Sequence, residues 1–540
     1  MKDSLANARG YYPGDWVRPR HNPGDWIALV DFFEVFTGNA SHNRQGTFDV
    51  YDPPIGVKLS IEEATKSGPL EFTNGKEPHH PVRAWTTSDK STKETIYHLL
   101  YSITGGLAYA TSKNSQVWTC PNMDLIEVNG SKSNNIVAAA EGDVLKAVYE
   151  DPLANPEERF RGIGCAGGRI NSETGQLVTT GEGVTEEKIS EWWANQEYTG
   201  PHLYKGPKLL LKGSVIGWTS PDRINWKRSD KILANFPMDG GVSARYDSKS
   251  GYYYAYCRLQ GVPQEQFNLI GTGAPEVGIF HRAIGITMTK DPTNWPAPKL
   301  VLFPDGQDDP DMSFYGADYF PYPGRSDLHC LLVQVYHQVG DHMDTQIAFS
   351  RDGLLWQRPE RKAIIPVGKP GSDDSGMVSS WGSGIIELPD GSWGSLYGGT
   401  ASLHNKGEDP ATGDGIIDTN HPRNLQWAKW LPHRFCSIEA TLEGRFTIPT
   451  ITKTTNELRL NYECKPGGWV KAELIYALPS RIHSDVDPVP GFSFAESDTL
   501  TGSSIDKVVT WDGKSDISST GDMVAIRIKM FRAKIFAYRV

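Results

Sequence analysis

VIGWTSPDRINWKRS, residues 215–229, is the stretch on which the fold turns. An apolar run ends in Thr219-Ser220, an Asp/Asn-bearing turn follows, and Trp226 closes the unit. Short turns of Asp, Asn and Gly reverse an antiparallel strand pair. A large aromatic placed just after such a turn can fold back over the hairpin and cover it. The same unit recurs as LAYATSKNSQVWTCP (107–121), AIGITMTKDPTNWPAP (283–298) and QIAFSRDGLLWQRPE (346–360). Its closing tryptophans, Trp118, Trp226, Trp295 and Trp356, are 108, 69 and 61 residues apart. Such irregular spacing means that loops vary while the unit persists. Each unit reads as the outer hairpin of a four-stranded blade, and blades set radially make a β-propeller. Four explicit blades, plus a fifth drawn from the N-terminal region and residues near 385–400, predict an all-β, five-bladed propeller over residues 15–433.

The pattern changes after residue 433. Short strands alternate with polar turns through RFCSIEATLEGRFTIPTIT, LRLNYECKPGGWVKAELIYA and DMVAIRIKMFRAKIFAYRV. This predicts a C-terminal β-sandwich over residues 434–540. Helical pattern is scarce, and only 183–194 (GVTEEKISEWWA) reads as a short helix. The length of 540 residues agrees with two domains. The chain holds 54 Lys+Arg against 65 Asp+Glu, a formal net charge of -11, so phosphate-rich nucleic acid and anionic membranes are poor partners. No run of 18 apolar residues occurs, so no membrane insertion is expected. The first residues lack the apolar core of a signal peptide; a mature secreted or periplasmic protein and a cytoplasmic one would look alike. Oligomeric state is open. Six cysteines form no close Cys-x-x-Cys pair, which excludes a thiolate zinc site of that type. Cys436 and Cys464 fall in one domain, and their spacing does not decide whether they pair.

The turns SPDRINW, SRDGLLW and TKDPTNW resemble those of the five-bladed propeller glycosidases, the fructan- and arabinan-cleaving families and their uncharacterised bacterial relatives. Many of these carry a C-terminal β-sandwich. The resemblance runs along most of the chain and implies glycoside hydrolysis, with a carbohydrate as substrate and no required cofactor. The Asn-Asp-Pro-Asn segment of the fructan-cleaving enzymes does not occur here, and Glu463-Cys464 lies in the sandwich region, so no catalytic triad is carried over.

The site is therefore sought in the residues themselves. A propeller's inner strands line its channel, and acids preceding them in different blades are brought together by radial closure. Glycoside cleavage needs one carboxyl to protonate the leaving oxygen and another to activate water or attack the sugar. Asp239, in MDGG, and Asp311, in DDPDMSFYGADYF, are the expected pair, with Asp374, in SDDSGMVSSWGSG, as a third, orienting acid. Asp309 is the alternate for Asp311, and Glu141 or Asp143 for the remaining role. Arg245, Arg258, His281, Tyr315, Trp381 and His404 are the expected substrate-binding groups: guanidinium for a uronate carboxylate, an indole for the apolar face of a sugar. Asp222 and Asp352, inside the repeated turns, are expected to hold backbone N–H groups.

Residues 308–311 (DDPD) form an oxygen-rich loop suited to a structural Ca2+. His337 and His342 flank Asp341 without the helical frame of a zinc peptidase. Two alternatives stand beside hydrolysis. One is a lyase on uronic-acid glycans, which needs a Tyr or His base (Tyr315, with His281 or His337) beside an arginine or metal. The other is a non-catalytic carbohydrate-binding propeller. A close pair of channel acids favours hydrolysis, and an Arg/Tyr/His cluster favours elimination. Phosphate-cradling, dinucleotide-binding and Ser-nucleophile motifs are absent.

Overall fold

A computed structural model describes residues 24–42, 47–73, 78–89, 91–103, 106–128, 130–138, 144–165, 169–170, 177–178, 215–234, 238, 241–248, 250–259, 282–325, 327–380, 382–404, 423–476 and 487–540. The chain is all-β. Among the described residues the only helical turns are three-residue 3-10 segments, at Phe32–Glu34, Pro156–Glu158 and Ser518–Thr520. The 183–194 segment lies outside the described residues. Among the described residues no helix is long and apolar enough to cross a membrane. Two compact units emerge: Ala64–Lys429, and Met1–Glu63 together with Trp430–Val540.

The first unit is a five-bladed propeller. Blade one pairs His80–Ser88, Thr95–Ile103, Gly106–Ser112 and Val117–Thr119 in sequence order, with Glu71–Thr73 added parallel at its edge. Blade two is Val144–Glu150, Phe160–Cys165, Val215–Ser220 and Lys227–Ala234. Blade three is Ser243–Asp247, Tyr252–Leu259, Ala283–Thr289 and Lys299–Leu302. Blade four is Met312–Pro321, His329–His337 and His342–Ser350, edged by a bridge from Phe349 to Gln357. Blade five is Met377–Ser379, Trp393–Thr400 and Asn424–Trp430, and its outer strand, Thr65–Pro69, comes from the other end of the unit.

That outer strand closes the ring. The inner strands of blades one to four touch in order, and Trp393–Thr400 of blade five packs on His80–Ser88 of blade one. Blades bury their faces against each other: Leu396, Leu425 and Trp427 of blade five share one core with Leu99, Tyr101 and Trp118 of blade one. Tyr256 of blade three packs likewise with Phe314, Leu331 and Val333 of blade four.

The repeated turns explain why each hairpin closes where it does. In every one the indole N–H donates to the carbonyl three residues back: Trp118 to Ser115 (3.1 Å), Trp226 to Arg223 (2.8 Å), Trp295 to Pro292 (3.0 Å) and Trp356 to Gly353 (3.1 Å). The turn's own Asp or Asn accepts from the next N–H groups. Asp222 Oδ1 takes those of Ile224 and Asn225, and Asp352 Oδ1 those of Leu354 and Leu355, all at 2.8 Å. Burial alone would raise both carboxyls, but these backbone donors hold them below the usual range. Ser115, Arg223 and Gly353 occupy the same position in their turns, at φ +63°, +69° and +76°. Glycine takes that left-handed geometry without strain; serine and arginine are held in it by the turn.

The second unit is one antiparallel sheet built on three long strands, Cys436–Thr452, Arg459–Tyr476 and Met523–Arg539. Bulges at 440–443, 448–451 and 464–469 bend them. Residues from both halves of each strand, such as Ile438 with Ile448 and Leu460 with Leu474, enter a single core around Trp511. The sheet thus folds over itself into a sandwich. Lys58–Ile61 pairs with Cys436–Thr452 at one edge and Ile27–Ala28 pairs with Met523–Arg539, so N-terminal residues complete this unit. Cys436 and Cys464 are both free thiols, which settles the pairing left open by their spacing. A buried cation ties the sheet: Arg434 donates to Asn461 Oδ1 (2.9 Å), Glu463 Oε2 (3.0 Å) and the Tyr462 carbonyl (3.0 Å).

Candidate active site

Strand direction defines one mouth of the propeller. Inner strands begin, second strands end and third strands begin at the same end of each antiparallel blade. Tyr315 lies near the start of its inner strand, Arg258 and Tyr336 near the ends of second strands, Arg282 just before a third strand, and His404 just after a second strand. These five residues meet. The Tyr315 hydroxyl and His404 Nε2 share a hydrogen bond of 3.0 Å, with the rings edge-on at 5.1 Å. Arg258, buried, holds its guanidinium 4.2 Å from the Tyr315 ring centre, and that of Arg282 is 5.0 Å away. The Tyr336 ring lies 4.7 Å from His404 and 5.6 Å from the Arg282 guanidinium.

The turn of blade four braces the cluster. Asp341 Oδ1 accepts from the Tyr336 hydroxyl (2.9 Å), and its carbonyl accepts from the His404 amide (2.9 Å). The Arg282 amide donates to Ser313 Oγ (2.8 Å). At the start of blade one, His80 Nε2 accepts from Arg423 Nη1 at 2.5 Å. Burial, and then the charge of Arg423, keeps His80 well below the usual imidazole range, so its ring is neutral and free to accept. The electrostatic reach of Tyr315 extends to Arg423. The described residues that meet at this mouth are thus mostly cationic and aromatic, with Asp341 as their acidic brace, although the chain as a whole is acidic.

The expected acids have partners of their own. Asp311 Oδ2 accepts from the Val339 amide (3.0 Å), and its carbonyl accepts from the Gln338 amide (3.1 Å), tying the inner strand to the blade-four turn. Asp374 is buried; its Oδ2 faces Lys66 Nζ at 2.5 Å and the Tyr397 hydroxyl at 2.9 Å, and its Oδ1 accepts from Ser372 Oγ at 3.0 Å. That pair fastens the ring-closing strand Thr65–Pro69 to blade five. Asp309 is exposed, and its carbonyl accepts from the Met312 amide. Asp308 of the same loop is committed to Arg358, which it meets through both carboxylate oxygens. Arg245 sits deeper between blades three and four, 4.4 Å from the Tyr319 ring, 5.4 Å from the Tyr254 ring and 3.5 Å from His329 Nδ1. Asp239, Glu141, Asp143, His281 and Trp381 lie outside the described residues.

Sequence reading passed over one group at the channel axis. A Cβ on Gly382 would meet the carbonyls of Val82 (2.8 Å), Lys146 (3.5 Å) and Val242 (3.8 Å), which belong to blades one to three. Gly382, with Ser383 and Gly384 after it, therefore plugs the channel where the blades converge. At φ +69° and against those carbonyls, only glycine fits. Asp318, fully buried on the blade-four inner strand, anchors the plug by accepting from the Gly384 amide (3.3 Å) and Ser380 Oγ (3.5 Å). Burial pushes its carboxyl up to about 6; the Gly384 amide and the Arg83 charge pull the other way. Its signal in the sequence was a lone acid within the otherwise apolar MSFYGADYF strand. His80 and Arg423, in EPHHPVR and HPRNLQW, were also passed over; each stands at the start of a strand that runs away from the mouth.

No family model and no curated protein matches this chain. Solved structures do show likeness. A thermostable family-43 glycoside hydrolase is 12% identical, with a TM-score of 0.40, covering 68% of this chain and 95% of its own. An N-acetylgalactosamine deacetylase from F. plautii, in complex with blood group B trisaccharide, is 12% identical, with a TM-score of 0.38 and coverages of 69% and 94%. The GH43 protein BlXynB from Bacillus licheniformis is 10% identical, with a TM-score of 0.35 and coverages of 87% and 99%.

Proposed function

We propose that the propeller is a glycan-cleaving enzyme whose mouth takes an acidic sugar. One observation carries this reading: Arg258 and Arg282 converge on Tyr315, whose hydroxyl is bonded to His404. Planar guanidinium groups match a carboxylate, and aromatic rings match the apolar face of a sugar. Two cleavage chemistries suit such a mouth. In hydrolysis, Asp239 and Asp311 form the carboxyl pair with Asp374 in support; one acid protonates the leaving oxygen and the other activates water.

In elimination, arginines neutralise a uronate carboxylate and so acidify the adjacent C5 proton. A base of the Tyr315–His404 pair removes that proton. The C–H electrons form the C4–C5 double bond, and the glycosidic oxygen leaves C4 and takes up a proton. The Tyr315–His404 bond beside two arginines favours this second reading. The test is a panel of neutral and uronate-bearing polysaccharides incubated with the 540-residue chain. New absorbance near about 235 nm with cleavage identifies elimination, and new reducing ends without it identify hydrolysis. Binding without turnover of any acidic glycan would reduce the propeller to a binding module. Cleavage confined to neutral glycans would overturn the acidic-sugar assignment.

A further inference from the structure

The blade-four hairpin carries a second cluster, on the face opposite Tyr336. In its register His337 stands opposite His342, and Val335 opposite Asp344. Side chains alternate along a strand, so His337, His342 and Asp344 project from one face while Tyr336 and Met343 project from the other. His337 Nε2 lies 3.1 Å from Asp344 Oδ2. The two imidazoles stack with centres 4.3 Å apart and planes 6° apart. One ligand atom from each of the three residues lies within 4.8 Å of the others, and all three side chains are half-buried. The other carboxylate oxygen, Asp344 Oδ1, is shut off from water and has no hydrogen-bond partner among the described residues. Asp309 and Asp311, at the start of the neighbouring inner strand, add negative charge around His337.

We propose that His337, His342 and Asp344 bind a divalent transition metal of the zinc class. Ligands bound at about 2.0–2.2 Å to one tetrahedral ion stand roughly 3.3–3.6 Å from each other. The His337–Asp344 contact is already near that spacing, and a rotation of His342 closes the rest. Two imidazoles and a carboxylate suit zinc, cobalt or nickel, whereas calcium takes oxygen ligands. Three protein ligands leave a coordination position for water. The turn between the two histidines also carries Asp341, which braces Tyr336 and His404, so the ion fixes the back of the mouth from the far side of the hairpin.

The experiment uses the full chain, stripped with chelator and titrated with Co2+ while the visible d–d bands are followed. One equivalent of Co2+ gives bands that Zn2+ abolishes, and Zn2+ raises the melting temperature of the wild type. His337→Ala, His342→Gln and Asp344→Asn each weaken Co2+ binding by at least about the ten- to hundredfold that loss of an outer-shell partner costs. His342→Gln keeps the hairpin's shape, so it reads the site even where His337→Ala unfolds. Absence of bands in the wild type at one equivalent, binding indifferent to His342→Gln and Asp344→Asn, or displacement of Co2+ by equimolar Ca2+ would each overturn the assignment.

Discussion

The repeated tryptophan turns and the channel mouth draw on the same polar residue types and use them in opposite ways. In the turns, every acid binds backbone N–H groups two or three residues away, and every indole binds the carbonyl three residues back. These groups find their partners within three residues. At the mouth, residues 258, 282, 315, 336 and 404 come from three successive blades and meet only because those blades pack side by side. Polar groups that meet across long sequence separations, around a rim lined with cations and aromatics, are the kind that a substrate can address.

The largest effect that this contrast implies is at the mouth. Tyr315→Phe and Arg282→Gln should each cut turnover on an acidic glycan by about 10²–10⁴-fold, the usual range for loss of a general acid or base, with little change in melting temperature. Near-wild-type rates in both would break the comparison at its functional end. Asp318 should come next. Its raised carboxyl makes the folded state bind a proton more tightly than the unfolded chain, so stability is greatest below the unfolded value and falls as pH rises through about 6. The fall attributable to this residue is about 3 kcal/mol at most, and Asp318→Asn should flatten it in denaturant unfolding measured from pH 4 to 7. An unchanged slope would mean that the plug does not bury the charge.

Asp374→Asn removes the partner of Lys66. It should cost about 2–3 kcal/mol in denaturant unfolding, below the range for a fully buried pair because Lys66 keeps 20% of its side-chain surface in water. This substitution also sharpens the comparison: a stability loss with turnover intact places Asp374 with the structural acids, and a turnover loss without destabilisation places it with the mouth. The smallest effect belongs to the turns. Asp352→Ala frees two backbone N–H groups at an exposed loop and should cost roughly 1 kcal/mol, with activity unchanged. A tenfold loss of turnover would show that the turns are more than fasteners.

Much of the fold was legible because its signals are local. The Ser/Thr–Asp/Asn–Trp unit repeats whole within about eight residues, so four blades could be counted from the text and the fifth inferred by closure. A change of pattern near residue 433 is also visible, but the residues before Ala64, read with the propeller from residue 15, group with Trp430–Val540. The candidate site was legible only in part. Arg258, Tyr315 and His404 were picked out beside strand ends, and the structure brings them together. Arg245 was chosen by the same rule but sits deeper, against Tyr319. Position along a strand cannot tell the mouth from the wall between blades.

The sequence by itself determined the all-β class, the hairpin unit with its tryptophan lid, and the structural duty of Asp222 and Asp352. Each depends on hydrogen bonds a few residues long. Only the tertiary structure decided that Thr65–Pro69 completes blade five, that Ile27–Ala28 and Lys58–Ile61 complete the sheet of the second unit, and that Gly382 and Asp318 meet at the channel axis. It also decided that Arg258, Arg282, Tyr315 and His404 surround one another at the mouth. Those contacts span tens to hundreds of residues. They form when blades pack side by side and ring closure fixes which strand ends face each other, and a one-dimensional pattern does not encode that geometry.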